Sequence, residues 1–129
     1  MNKILVEVSV GELLDKISIL EIKQEKIKDA ESLKFIEDEY KALKSELDKN
    51  IKTDEKLKNL FNSLKEINSK LWVIEDDKRM CEKNKDFGEK FIKLSRDVHF
   101  LNDNRAKIKL EINNHTGSKI KEIKEYTSY

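Results

Sequence analysis

The chain has 129 residues, 41% of them charged, and its 27 lysines and arginines nearly cancel its 26 aspartates and glutamates to leave a net charge of +1. That length fits a single domain over residues 1–129 with one core, and the near-neutral balance leaves no global field to draw the protein onto nucleic acid or an anionic membrane. The one cysteine, Cys81, excludes an intrachain disulfide framework and any zinc site built on several thiolates, and no run approaches the roughly 20 apolar residues of a membrane span, so the expected address is the cytoplasm.

Residues 3–8 are short and β-prone, and the apolar run Ile4, Leu5, Val6 is broken by Glu7, too early for a signal-peptide core. Ser9 and Glu12 then stand at capping-box spacing, which predicts a helix over about 11–28. Leu13, Leu14, Ile17, Leu20 and Ile27 form a broad apolar face, while Ile19 and Ile22 point elsewhere. A helix that is apolar on more than one side is expected at the centre of a bundle.

The second predicted helix, 31–48, carries Leu33, Ile36, Tyr40, Leu43 and Leu47 on one stripe and charges around the rest, which assigns it to the outside. After a polar connection at 50–54, a third helix repeats Leu57, Leu60, Leu64, Ile67, Leu71, Ile74, Lys78 and Cys81 at alternating three- and four-residue steps. A turn near Asn84 and Lys85 leads, through a second capping-box pair of Asp86 and Glu89, to a fourth helix with the matching seam Phe87, Phe91, Leu94, Val98, Leu101, Arg105, Ile108 and Ile112. Two heptad seams joined by a short turn predict a long antiparallel hairpin. Gly117 is placed to stop the fourth helix, and Ile120 and Ile123 in 119–126 offer a short strand that could pair with 3–8. The expected fold is mainly α: a four-helix antiparallel bundle with a long C-terminal helical hairpin and a short terminal β pairing.

Arginine usage singles out the hairpin. Only Arg79, Arg96 and Arg105 are arginine, and all three lie at the end of the third helix or within the fourth. Lysine cannot reproduce the planar fork with which a guanidinium engages carboxylate or phosphate, so this placement points either to anion recognition or to inter-helix salt bridges. Opposite its seam, the fourth helix gathers Ile92, Arg96, His99, Asp103, Ala106 and Leu110, polar in the middle and apolar at both ends. That pattern predicts a second packing partner, with helix one and its Lys16, Glu21 and Gln24 completing a polar chamber. In such a chamber Arg96 and Lys16 would bind an oxyanion, Asp103 or Glu21 would orient the guanidinium, and His99 would donate a hydrogen bond or shuttle a proton.

Arg105 lies on the apolar seam itself, where it requires a carboxylate or carbonyl partner, and Asn102 and Asp103 extend the polar segment one turn before it. A buried network that fixes helix register accounts for Arg105 without any ligand. Glu75 and Asp76, with Asp77, form the one acidic run that suggests a divalent cation. Consecutive helical residues diverge, however, and Lys78 and Arg79 stand ready as salt-bridge partners, so the expectation is no metal and no cofactor. No phosphate-cradling glycine loop, serine elbow or histidine pair at metal-ligand spacing is present.

The stretch from Ser9 through Val10, Gly11, Glu12, Leu13, Leu14, Asp15, Lys16, Ile17, Ser18, Ile19, Leu20, Glu21 and Ile22 to Lys23 carries a family resemblance. So do Leu71-Trp72 with Glu75-Asp76-Asp77, Phe91-Ile92 with 94–96, Asn102-Asp103 with Arg105-Ala106 and Ile108-Lys109, and Gly117-Ser118 with Lys124 and Tyr126. Together they resemble a family of small bacterial and phage helical proteins of unknown function. Members of that family are often encoded beside glycosyltransferases and other cell-surface sugar genes, so the resemblance implies a role connected with glycan or nucleotide-sugar metabolism. His99 stands where that pattern often has a tyrosine, which argues against His99 as a shared proton-transfer group. Asp15, Lys16, Arg96, Asn102, Asp103, Arg105 and Lys109 are the matching polar positions.

Two functions of different class follow. One is a cytoplasmic helical module that binds a partner protein or an anionic metabolite, with a homodimer burying the outer faces of the hairpin as one form of partnership. The other is a small all-helical enzyme that acts on a phosphorylated or carboxylated metabolite through electrostatic stabilisation by Arg96, Arg105 and Lys16. The candidate ligand residues are Lys16, Glu21, Arg96, Asn102, Asp103, Arg105 and Lys109.

Overall fold

A computed structural model of the chain describes residues 3–121 and 123. It is an all-α four-helix bundle of α1 (Val10–Lys26), α2 (Ala30–Asn50), α3 (Glu55–Lys83) and α4 (Glu89–Thr116). The first three helices start on side-chain caps that the sequence supplies. Ser9 Oγ accepts from the Glu12 N–H at 3.0 Å, Asp29 Oδ2 from Ser32 at 2.9 Å and Asp54 Oδ1 from Leu57 at 2.8 Å. Each satisfies an N–H that has no partner within its helix, a contribution of about 1 kcal/mol.

Only half of the first capping box forms, because Glu12 turns away from Ser9 to bind Lys109 Nζ at 2.7 Å. The second box, expected from Asp86 and Glu89, does not form. Helix α4 begins at Glu89 with Gly88 as its cap, so Glu89 sits one position into the helix rather than three, and Asp86 instead accepts from the Gly88 N–H at 3.1 Å. Phe87 therefore lies outside the helix, but its ring still packs edge-on against Phe91 with centroids 5.6 Å apart. Gly117 does stop α4: it adopts a left-handed conformation, φ 67°, that lets the Ser118 N–H reach back to the Asn113 carbonyl at 2.9 Å.

The helix with apolar residues on several sides is central. Helix α1 neighbours α2, α3 and α4, whereas the backbone of α2 approaches that of α1 alone. The core is Leu14 and Ile17 of α1, Leu47 of α2, Leu57 and Leu64 of α3 and Ile112 of α4, all buried where the four helices meet. Gly11 permits this closeness, since a Cβ there would lie 2.6 Å from the Lys109 carbonyl oxygen. At about 1.5 Å per residue, the 17 residues of α1 cover only part of a hairpin whose α3 has 29. Towards the tip, Ile74, Leu94, Val98 and Leu101 of the seam are half-buried, with Cys81 buried near the turn.

No strand forms among the described residues, and residues 3–8 are irregular with Ile4, Leu5 and Val6 exposed. An isolated two-stranded pairing is marginal in water, and the chain turns into α1 at Ser9. Residues 122 and 124–126 of the other expected strand lie outside the described residues.

Candidate functional site

Near the middle of α3 and α4, these two helices and α1 converge on Asp15, whose carboxylate is 1% exposed. Its Oδ1 accepts from Arg105 Nε at 3.0 Å and from Asn68 Nδ2 at 2.9 Å, while Arg105 Nη2 closes on Oδ2 to complete a bidentate pair. Lys109 Nζ stands 4.0 Å from the same oxygen and is bound to Glu12. Asn68 also meets Ser18 Oγ at 2.8 Å, and Ser18 donates to the Asp15 carbonyl at 2.7 Å. The Gly11 N–H donates to Asn113 Oδ1 at 2.7 Å, one helical turn beyond Lys109. No buried side-chain nitrogen or oxygen among the described residues lacks a hydrogen-bond partner. Burying a carboxylate costs several kcal/mol unless donors surround it, and here a guanidinium, an amide and an ammonium do so. The seam arginine thus has the carboxylate that its position demanded, and the network sets the register of α1 against both hairpin helices.

Beside this network a groove of about 390 Å³ opens between α1 and the hairpin. Its floor is Ile19, Ile22 and Leu71; Trp72, Arg79 and Arg105 stand with Asn68, Glu75 and Asp76 around it. Ile19 and Ile22 are the α1 residues that point away from the main apolar arc, which explains why that helix is apolar on more than one side. Arg79 and Arg105, two of the three arginines, share this groove. Trp72 and Arg79 were not among the residues singled out as a ligand site. The signal available for Arg79 was the scarcity of arginine itself, and for Trp72 it was a lone tryptophan one residue off the seam of α3.

The other candidates are distributed. Glu21 faces α2 and α3, where it accepts from Tyr40 Oη at 3.2 Å and Lys65 Nζ at 3.1 Å, and Lys65 also binds Glu25 at 3.0 Å. Loss of solvent around Tyr40 and the negative charge of Glu21 both raise the phenol above its ordinary value. The hydrogen bond to Glu25, then that to Glu21, raises the Lys65 ammonium. Lys16, Arg96 and His99 are exposed, while Asn102 and Asp103 are half-buried on α4. Arg96 borders a separate surface depression with Glu89, Ile92, Lys93, Asp97 and Phe100. The chamber expected between α1 and the Arg96 face is therefore not formed among the described residues: α1 packs against the edge of α4 that carries Arg105, Lys109 and Asn113. Glu75 and Asp76 line one groove, but no three histidine, cysteine, aspartate or glutamate side chains converge as a metal centre among the described residues.

At the opposite end of α3, His115 Nε2 lies 2.8 Å from Asp54 Oδ2. The Leu57 N–H first, and His115 second, hold the Asp54 carboxyl below its usual range.

A family model described as "Family of unknown function (DUF6165)" matches residues 4–129. The chain belongs to the DUF6165 family. The match takes in all four helices, so both the Asp15 network and the Trp72 groove lie within the DUF6165 region. No curated protein and no solved structure matches the chain. No helix among the described residues is long and apolar enough to cross a membrane.

Proposed function

We propose that the protein is a cytoplasmic binding module for a sugar that carries one anionic group, such as a sugar phosphate or nucleotide sugar, and that the Trp72 groove is its site. The observation that carries this reading is that Trp72, Arg79 and Arg105 share one groove over an apolar floor. A tryptophan face suits the C–H face of a sugar ring or a base, Asn68, Glu75 and Asp76 suit hydroxyls, and Arg79 suits phosphate or carboxylate. Arg105 is paired with Asp15, and Glu75 and Asp76 stand beside Arg79, so carboxylates outnumber the guanidiniums, which disfavours a bare polyanion against a ligand with a single anionic group. The connection with glycan chemistry implied by the family resemblance points the same way.

The enzymatic alternative draws on Arg96, Arg105 and Lys16 acting together. Arg105 is committed to Asp15, and Lys16 and Arg96 are exposed away from the groove lining, which favours binding over catalysis.

A thermal-shift screen against sugar phosphates, nucleotide sugars, small dicarboxylates and divalent metals tests the reading, since a ligand of the native state raises its apparent stability by mass action. The expected result is a concentration-dependent rise with a sugar-bearing anion that is lost in Arg79→Gln and kept in Arg96→Gln. A response that depends on Arg96 and not on Arg79 would place the site elsewhere, and no response to any class would turn the search to a protein partner.

A further inference from the structure

On the face of the hairpin lined by Val73 and Phe100, α3 and α4 enclose an apolar groove of about 630 Å³. Its centre is Val73 and Phe100, 48% and 47% exposed, with Ile74 and Leu101 beneath. Its rim is charged in an ordered way. Counting back from Val73, Lys70 stands three residues before it and Glu66 seven; counting back from Phe100, Asp97 stands three before it and Lys93 seven. Within each helix the two charges pair as neighbours one turn apart, Lys70 with Glu66 at 3.5 Å and Lys93 with Asp97 at 2.9 Å.

Because α3 and α4 run in opposite directions, these equal spacings place α3's charges towards the base of the hairpin and α4's towards its tip. From base to tip the order is Glu66, Lys70, apolar centre, Asp97 and, one turn beyond the groove lining, Lys93. Reversing that order exchanges every negative charge for a positive one. A two-fold axis through the centre of the groove, with two hairpins crossing face to face, sets Glu66 opposite the partner's Lys93 and Lys70 opposite the partner's Asp97, around the apolar centre. Self-complementarity of this kind is what an isologous interface requires.

We infer that this groove is the interface of a homodimer in which the hairpins of two copies cross at Val73 and Phe100 and their rim charges interlock. This inference is independent of the ligand groove, which lies between the hairpin and α1.

Sedimentation equilibrium of the full chain tests it. The wild type is expected to move with concentration from 15.2 kDa towards twice that mass. Lys93→Glu should weaken the dimer about tenfold, because the symmetry reverses two contacts at once. Glu66→Lys combined with Lys93→Glu should restore it. In that double variant each swapped residue has a like charge one turn away in its own chain, so rescue can come only from across the interface. All of these positions are on the surface, and far-UV circular dichroism checks that each variant keeps its helices. A 15.2 kDa species at every concentration, a dimer indifferent to Lys93→Glu, or a double variant no tighter than the single would each overturn the inference.

Discussion

Replacing Arg105 with methionine keeps most of the apolar stem and removes the guanidinium. Asp15, 1% exposed, would then keep Asn68 Nδ2 at 2.9 Å and a lysine at 4.0 Å, having lost both arginine contacts. Breaking a buried ion pair from one side costs about 3–5 kcal/mol, since the remaining charge is left without compensation. The Arg105 side chain is 29% exposed and Lys109 can close part of the gap, so Arg105→Met should lie near the lower end, about 3 kcal/mol. Removing both charges should cost much less. In Asp15→Leu with Arg105→Met, Asn68 keeps Ser18 and Lys109 keeps Glu12, and the double variant should come within about 1 kcal/mol of wild type. Urea unfolding followed by far-UV circular dichroism gives all four corners of the cycle. A single-variant cost below about 0.5 kcal/mol, or a double variant as unstable as the sum of the singles, would refute a buried network that holds the register.

Gly11→Ala should destabilise by about 2 kcal/mol in the same assay despite alanine's higher helix propensity, because its Cβ would press on the backbone of α4. Asp29 and Asp54 both have carboxyls held below their usual range by capping hydrogen bonds. Their contribution is present above the unfolded value of 3.8 and is lost as pH falls through the lowered folded value, so Asp54→Ala should flatten the acid limb of a stability–pH curve. Lys65 and Tyr40 are raised, so each contributes below its unfolded value, 10.5 and 10.0 respectively, and that contribution is lost as pH rises through the folded value. Stability measured by urea titration should accordingly fall on the alkaline side, and Tyr40→Phe should make that fall shallower.

Much of the fold was legible because Ser9 caps α1, Gly117 stops α4, and the heptad steps of α3 and α4 define a hairpin whose closing turn needs no tertiary information. The dispersed apolar residues of α1 implied a central helix, and Arg105 on a seam implied a buried partner. What periodicity cannot supply is which edge of α4 receives α1. The ladder from Ile92 to Leu110 had the polar-centred pattern of a packed face, but Ile92 and Leu110 remain exposed because α1 docks on the edge of α4 that carries Arg105, Lys109 and Asn113, where Gly11 allows backbone contact. The partner of Arg105, Asp15, was visible in the sequence as a matching position of the family pattern, yet ninety residues separate the two. The groove likewise joins α1, both ends of the polar network and the middle of α3, a combination that exists only after the helices have packed.

Trp72 is the chain's single tryptophan and stands in the proposed site, so its emission reports on that groove alone. Titrating the protein with sugar phosphates while recording tryptophan fluorescence is the most direct test of the binding account. The account predicts a saturable change that Arg79→Gln abolishes and Arg96→Gln leaves intact. Emission unchanged by a sugar phosphate that calorimetry shows to bind, or a response that survives the loss of Arg79, would contradict it.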